Sequence, residues 1–425
     1  SEPATWPKPL TRAADALEAA NGRLCGEPGV VGLLEAPEAA REIRSHCEAL
    51  AAQVAGAEAH LDGSSHGLSS TQLEATNAEL LRCKDAIWAV DRDRLRAADG
   101  IGVLSPTLPG RAGCAALLSL HQALSALDRL EVRGRDSAGV EVQLTGHGLD
   151  PADPEVASAL RERGDRVFGD GAVRMVGDVL VIVYKTAAEI GELGDNTAGI
   201  RASIAADDLL HKALRSDSVE CLVLGHTRWA SIGVVSEANA HPQCSDELEA
   251  GGAEQAGVFA TAALNGDVDN YAELAAGAGL HLPPEVTTDA KVIPTLLRHT
   301  MTDSKASGID AFRDTVASME GSVAIAATTT DEPGKLYLAL RGSGQALYIG
   351  LAEDAFIVAS EPYGVVEETP TVLRMDGETP SVVDNPTGSR GQVVSLDASA
   401  AGTLEGMRRI SYDGTELPVT VGDLA

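Results

Sequence analysis

Four short segments carry residue types that could handle a small charged molecule. They are Leu130-Glu131-Val132-Arg133-Gly134-Arg135-Asp136-Ser137-Ala138-Gly139; Gly225-His226-Thr227-Arg228-Trp229-Ala230, with Asn239-Ala240-His241-Pro242 shortly after; Leu264-Asn265-Gly266-Asp267-Val268-Asp269-Asn270-Tyr271; and Thr287-Thr288-Asp289. Arg228 offers a planar fork that can hold a carboxylate through two hydrogen bonds. Asp289 can pair with an ammonium group. Asn265 and Gly266 can aim a side-chain amide and a backbone N–H at one oxygen, as an oxyanion hole requires. Together they suit a small zwitterion with a carbonyl to be attacked. Singly each is ordinary: Asn-Gly is a common turn, Arg-Trp a common surface stack, and His226 and His241 read first as satisfied structural histidines.

These segments need strands and turns to position them, and the chain supplies both. Residues 10–17 recur at helical spacing (Leu10, Ala13, Ala14, Leu17), and Asn21-Gly22 ends that run. The apolar run Gly29-Val30-Val31-Gly32-Leu33-Leu34 predicts a buried strand. Residues 35–128 read as helical. A first helix runs from Pro37 to about Leu61, and residues 62–67 form a loop. Thr71 and Glu74 have capping-box spacing. Leu73, Leu80, Ile87 and Arg94/Leu95 follow at near-heptad intervals, as in a helical hairpin. Pro106 and Pro109 interrupt it, and a further helix covers roughly 113–131. From residue 132 short strands take over, at 179–184, 219–224, 322–326, 335–339 and 355–359, with helices at 272–280 and 289–301. This pattern predicts an α+β layered fold. Residues 370–425 are richer in Pro, Gly and Asp and weaker in period.

Composition narrows the function. The chain has 425 residues, 44% hydrophobic and 3% aromatic, so its core must be aliphatic. Lys+Arg is 33 against Asp+Glu 63, a net charge of −30. That field opposes nucleic acid and anionic membrane surfaces. The six cysteines (25, 47, 83, 114, 221, 244) show no CxxC spacing, and no His/Cys/Asp/Glu cluster has metal-ligand spacing. No metal or cofactor is expected. Reduced thiols, no spanning segment and no secretory signal predict a cytoplasmic protein.

The four segments, in this order, resemble the class II glutamine amidotransferase domain of the glutamine–fructose-6-phosphate aminotransferase (isomerising) family, the glucosamine-6-phosphate synthases. The likeness covers about 130–370 plus the run at 29–34. It implies an Ntn-hydrolase fold, a four-layer sandwich of two antiparallel sheets between helices, here with an inserted helical subdomain. It implies a glutaminase that releases ammonia for amination of a sugar phosphate. Arg228 would bind the glutamine carboxylate and Asp289 its ammonium. Asn265 and Gly266 would form the oxyanion hole, and Trp229 and Ser231 would belong to the segment over the site. The family's nucleophile is an N-terminal cysteine whose own α-amine is the base.

The departures set further expectations. Cys25-Gly26-Glu27-Pro28-Gly29 offers two registers: Cys25 as nucleophile with three extra residues before the strand, or Pro28 at the nucleophile position and no thiol. Residues 1–24 are an arm or a propeptide; the nitrogen of Cys25 is an amide unless cleavage frees it. Ser1 as a nucleophile is a weaker alternative. The family's Thr-His-Gly after its HTRWA is here Ser231-Ile232-Gly233. The expected division is an arm (1–24), a first strand (25–34), a helical insertion (35–128), the amidotransferase domain (129–370) and a C-terminal segment (371–425) leading toward an absent sugar-isomerase region. The partners implied are glutamine and sugar-isomerase domains or a separate isomerase chain, in an oligomer. The opposing expectation is an inactive glutamine-binding or structural domain that regulates or assembles such a partner.

Overall fold

The computed structural model describes residues 7–63, 68–165, 167–187, 192–248, 257–304, 306–379 and 390–425. The chain divides into two compact units, residues 1–102 and 103–425. Ser1 and residues 64–67 of the expected loop lie outside the described residues.

The first unit is helical: α1 (Pro7–Leu24), α2 (Gly26–Glu35), α3 (Pro37–Asp62), α4 (Ser70–Trp88), a π-helical turn (Ala89–Leu95) and the start of α5 (Arg96–Leu104). Pro37 opens α3 where its missing N–H costs nothing. Leu80, Ile87 and Val90 close a core with Ala14 of α1 and Cys47 and Val54 of α3. The capping box at the start of α4 is Ser69 with Gln72, not Thr71 with Glu74. The strand expected over 25–34 is helix α2. A continuous apolar run has no period to separate strand from helix. Pro28 sits in the first helical turn, where a proline is tolerated. Gly29 is needed because a Cβ there would lie 2.3 Å from the Leu24 carbonyl. Leu33 then packs on Leu95 and Ala98.

The second unit is α+β. A four-stranded antiparallel sheet has the order β2 (Val173–Val176), β3 (Val179–Thr186), β1 (Ser137–Thr145), β4 (Glu220–Arg228). A six-stranded antiparallel sheet has the order β13 (Met407–Ser411), β12 (Gln392–Asp397), β8 (Lys335–Arg341), β7 (Val323–Thr329), β6 (Ala260–Gly266), β5 (Gln243–Cys244). A small sheet, β10 (Phe356–Ala359), β9 (Tyr348–Leu351), β11 (Val372–Arg374), packs Ile349 and Leu373 against Leu338, Leu340 and Val394 of the six-stranded sheet.

Helices α6 (Arg111–Leu130) and α8 (Asp195–Ala205) cover the outer face of the four-stranded sheet, and α11 (Val292–Asp303) and α12 (Gly308–Ala317) that of the six-stranded one. The remaining helices are α7 (Pro154–Glu162), α9 (Asp208–Ala213) and α10 (Tyr271–Gly277). Leu117, Leu120, Leu124 and Leu127 recur at helical spacing along α6 and are buried. Gly225 of β4 lets Leu127 approach. Phe312, Ile293 and Leu297 meet Val323, Ile325 and Ala327 in a largely aliphatic core.

The layer between the two large sheets is partly polar. Buried Glu141 of β1 accepts hydrogen bonds from Thr261 and from Thr328 (2.9 Å). Burial pushes its pKa up to about 7. The Nζ of Lys185, a residue 1% exposed, meets no hydrogen-bond partner among the described residues and lies 5.4 Å from the Phe168 ring.

Two expected boundaries move. Helix α6 packs on β4 and so belongs to the second unit, not to an insertion ending at 128. Strands β12 and β13 complete the six-stranded sheet, so the fold continues past 370 to at least residue 411.

Candidate active site

A cavity of about 640 Å³ opens where β4, β6 and the turn before α11 converge, within the range of small-molecule sites. Its walls bring together Arg228, Trp229, Ser231, Asn265, Gly266 and Asp289. Six of the seven residues singled out from the sequence therefore share one cavity.

Arg228 is the last residue of β4 and is 4% exposed. Its guanidinium donates to the carbonyls of Ile232 and, at 3.4 Å, Val234. Burial lowers its pKa against the opposing pull of Asp289 and Asp136, and an arginine stays charged regardless. Asp289 opens the short turn Asp289–Lys291 ahead of α11. Val268 N–H donates to its Oδ2 (2.8 Å), and the Thr288 hydroxyl lies 3.4 Å from Oδ1. Burial, helped by the neighbouring Asp267 charge, raises its pKa. Groups of opposite charge thus line the same cavity.

Asn265 and Gly266 end β6, opposite Ala324 and Val323. Gly266 has φ +116°, and a Cβ there would lie 2.1 Å from the Ser322 carbonyl. Only glycine fits that bend. The segment after β4 is pegged at three points. Ala230 N–H donates to Asp136 (2.8 Å), Ser231 Oγ to Asp267 (2.7 Å), and Val234 N–H to the Thr287 hydroxyl (3.3 Å). Trp229 stands 76% exposed on it.

Cys25 belongs to the other compact unit. It lies between α1 and α2 in the first unit, half-buried and extended (φ −72°, ψ 153°), and makes no side-chain cap bond. Among the described residues of the 103–425 unit, no cysteine lines the cavity. The strand on which both registers rested is absent: Cys25 is the N-cap of α2 and Pro28 lies in its first turn.

Sequence reasoning underused several polar residues. Asp136 and Asp267 anchor the segment over the site; both sit inside the quoted motifs, so their spacing was the available signal. Val223 and Leu224 of β4 and Ala324, Ala326 and Leu336 of β7 and β8 also line the cavity. That juxtaposition is tertiary and had no local signature.

No protein-family model matches the sequence. The chain is 29% identical over 198 residues to the glutamine–fructose-6-phosphate aminotransferase (isomerizing) of Corynebacterium diphtheriae, covering 45% of this chain and 29% of that protein. It is 31% identical over 197 residues to the enzyme so named from Thermosynechococcus vestitus (44% and 29%). To that of Aquifex aeolicus it is 30% identical over 258 residues (59% and 38%). The chain thus spans about a third of the length of these curated relatives. Among solved structures, an allosteric regulatory enzyme of purine biosynthesis superposes with a TM-score of 0.36 at 18% identity, over 64% of this chain and 49% of that one. By sequence, the chain is similar to the glutamine–fructose-6-phosphate aminotransferases over part of its length.

Proposed function

We propose that the 103–425 unit binds glutamine in this cavity and that glutamine hydrolysis supplies ammonia for amination of a sugar phosphate. The amination falls to sugar-isomerase domains or a separate isomerase chain, in an oligomer in the cytoplasm. The observation that carries this reading is the convergence of Arg228, Asp289, Asn265 and Gly266 on one cavity. Arg228 takes the α-carboxylate and Asp289 the α-ammonium. That pose directs the side-chain amide toward Asn265 and Gly266, which hold the developing oxyanion. Ser231 and Trp229 belong to the segment over the bound ligand.

The chemistry needs a thiolate. A cysteine sulfur attacks the amide carbon, the C–N bond breaks, and the proton taken from the thiol leaves with ammonia. Water then cleaves the thioester to glutamate and restores the thiol. Cys25 is the thiol to test first; its nitrogen is an amide in this chain and serves as base only after cleavage following Leu24. The test is calorimetry with glutamine alongside a glutamate-release assay, on the wild type, Arg228→Ala and Cys25→Ala. The expected result is binding that weakens by about 1.5–3 kcal/mol in Arg228→Ala, the value of a charged hydrogen bond, and release abolished in Cys25→Ala. A wild type that does not bind glutamine overturns the reading. Binding without release leaves a glutamine-binding domain, and release that survives Cys25→Ala removes Cys25 as the nucleophile.

A further inference from the structure

We infer that His241, working with Asn239, is a positioning residue that registers the carboxylate of Asp289 to the oxyanion pair Asn265–Gly266. The segment between β4 and β5 passes beneath both. Asn239 is fully buried and spends every bond it can make. Its Oδ1 accepts from the N–H groups of Thr287 (2.7 Å) and Thr288 (2.9 Å). Its Nδ2 donates to Ser236 Oγ (2.9 Å) and to the Glu285 carbonyl (3.1 Å). The loop that ends in Asp289 is thereby fixed from below.

His241 joins that loop to β6. Its Nδ1 is 3.4 Å from the Leu264 N–H, which can only donate, and its Nε2 is 3.2 Å from the Thr288 hydroxyl. Nδ1 therefore carries no proton. Burial, with His226 and Arg228 close by, holds the ring neutral. The single proton sits on Nε2 and is donated to Thr288 Oγ1. The Thr288 hydroxyl hydrogen is left to point at Asp289 Oδ1, 3.4 Å away. The chain of donors has one direction: Leu264 N–H to His241, His241 to Thr288, Thr288 to Asp289. Leu264 immediately precedes Asn265, and Thr288 immediately precedes Asp289. One imidazole in one tautomer thus sets the distance between two groups that come from different elements.

The functional readout rests on the glutamine reading; the tautomer does not, so the two can fail separately. The experiment compares wild type, Thr288→Val and Thr288→Ser in the full chain. Nitrogen-15 imidazole spectra should show His241 as the Nε2–H form with a slowly exchanging proton, lost from protection in Thr288→Val and kept in Thr288→Ser. Calorimetry should show glutamine affinity falling about tenfold in Thr288→Val, as for one lost hydrogen bond, and staying within about twofold in Thr288→Ser, with both melting temperatures near wild type. An Nδ1–H tautomer in the wild type, or full affinity in Thr288→Val, overturns the inference. If Thr288→Val does not fold, the wild-type tautomer still decides. A wild type that shows the Nε2–H form but binds no glutamine supports the bridge and overturns the proposed function.

Discussion

Replacing Lys185 with methionine should stabilise the second unit, by an amount that depends on pH. Lys185 lies on β3 between the two large sheets, its Nζ has no hydrogen-bond partner among the described residues, and burial pulls its pKa from 10.5 down to about 7. A lowered folded-state pKa means that the unfolded chain binds more protons between those values, so stability rises with pH across that window. At pH 7 the linkage cost of carrying this lysine into the fold is about 4 kcal/mol, and by pH 10 it is below about 1 kcal/mol. Methionine keeps the unbranched stem and volume without the amine, and it packs against the same Phe168 ring. Denaturant unfolding of wild type and Lys185→Met at pH 7 and pH 10 measures both numbers. The expected result is a gain of a few kcal/mol at pH 7 that shrinks at pH 10. Equal or lower stability of the variant at pH 7, or a gain that does not change with pH, would refute the reasoning.

Glu141 gives the mirror case. Its folded pKa is raised to about 7, so its favourable contribution is complete below about 4.5 and is lost as pH rises through 7. Glu141→Gln should therefore gain on wild type most above pH 7, read by melting temperature against pH. Gly266→Ala forces a Cβ onto the Ser322 carbonyl at φ +116° and should cost more than about 1–3 kcal/mol of stability, together with any glutaminase turnover. Glutamine affinity should fall as the solution is acidified through the raised pKa of Asp289, because a protonated carboxyl no longer attracts the ammonium; a flat calorimetric titration between pH 7 and pH 4 would count against that contact. Ser69→Ala removes the capping box of α4 and should cost about 1 kcal/mol by denaturant unfolding.

Elements with a strong period were legible from residues alone. Helix α3 runs Pro37–Asp62 against an expected 37–61, and β3, β4, β7, β8 and β10 lie within a few residues of the runs that announced them. Two kinds of segment were not. Residues 29–34 are apolar without interruption, and such a run fits a buried helix as well as a strand; what decides is Leu33 meeting Leu95 and Ala98, distant in sequence. Strand β12 was hidden for a related reason. Val393 faces the helix side and Val394 the small sheet, so both faces are covered and the alternation that marks a strand disappears. At the site, the four motifs carried Arg228, Asn265, Gly266 and Asp289 into view because each sits at a strand end or turn. The bridge through His241 and Thr288 was not visible, since neither residue type announces a donor direction until its neighbours are fixed.

The two carbonyls that hold Arg228 have an optical consequence. Trp229 is the next residue, stands in solvent, and is the single tryptophan of the 103–425 unit, the others being Trp6 and Trp88. The bonds to those carbonyls use two of the five guanidinium N–H donors, so a bound carboxylate can share Arg228 with the Ile232 and Val234 carbonyls, and its charge beside the adjoining residue should change the surroundings of the indole. The molecule therefore carries a fluorophore wired to its own anion-binding group. With Trp88→Phe and Trp6→Phe to silence the rest, emission wavelength and quenching would follow occupancy in real time, without a label and without any turnover.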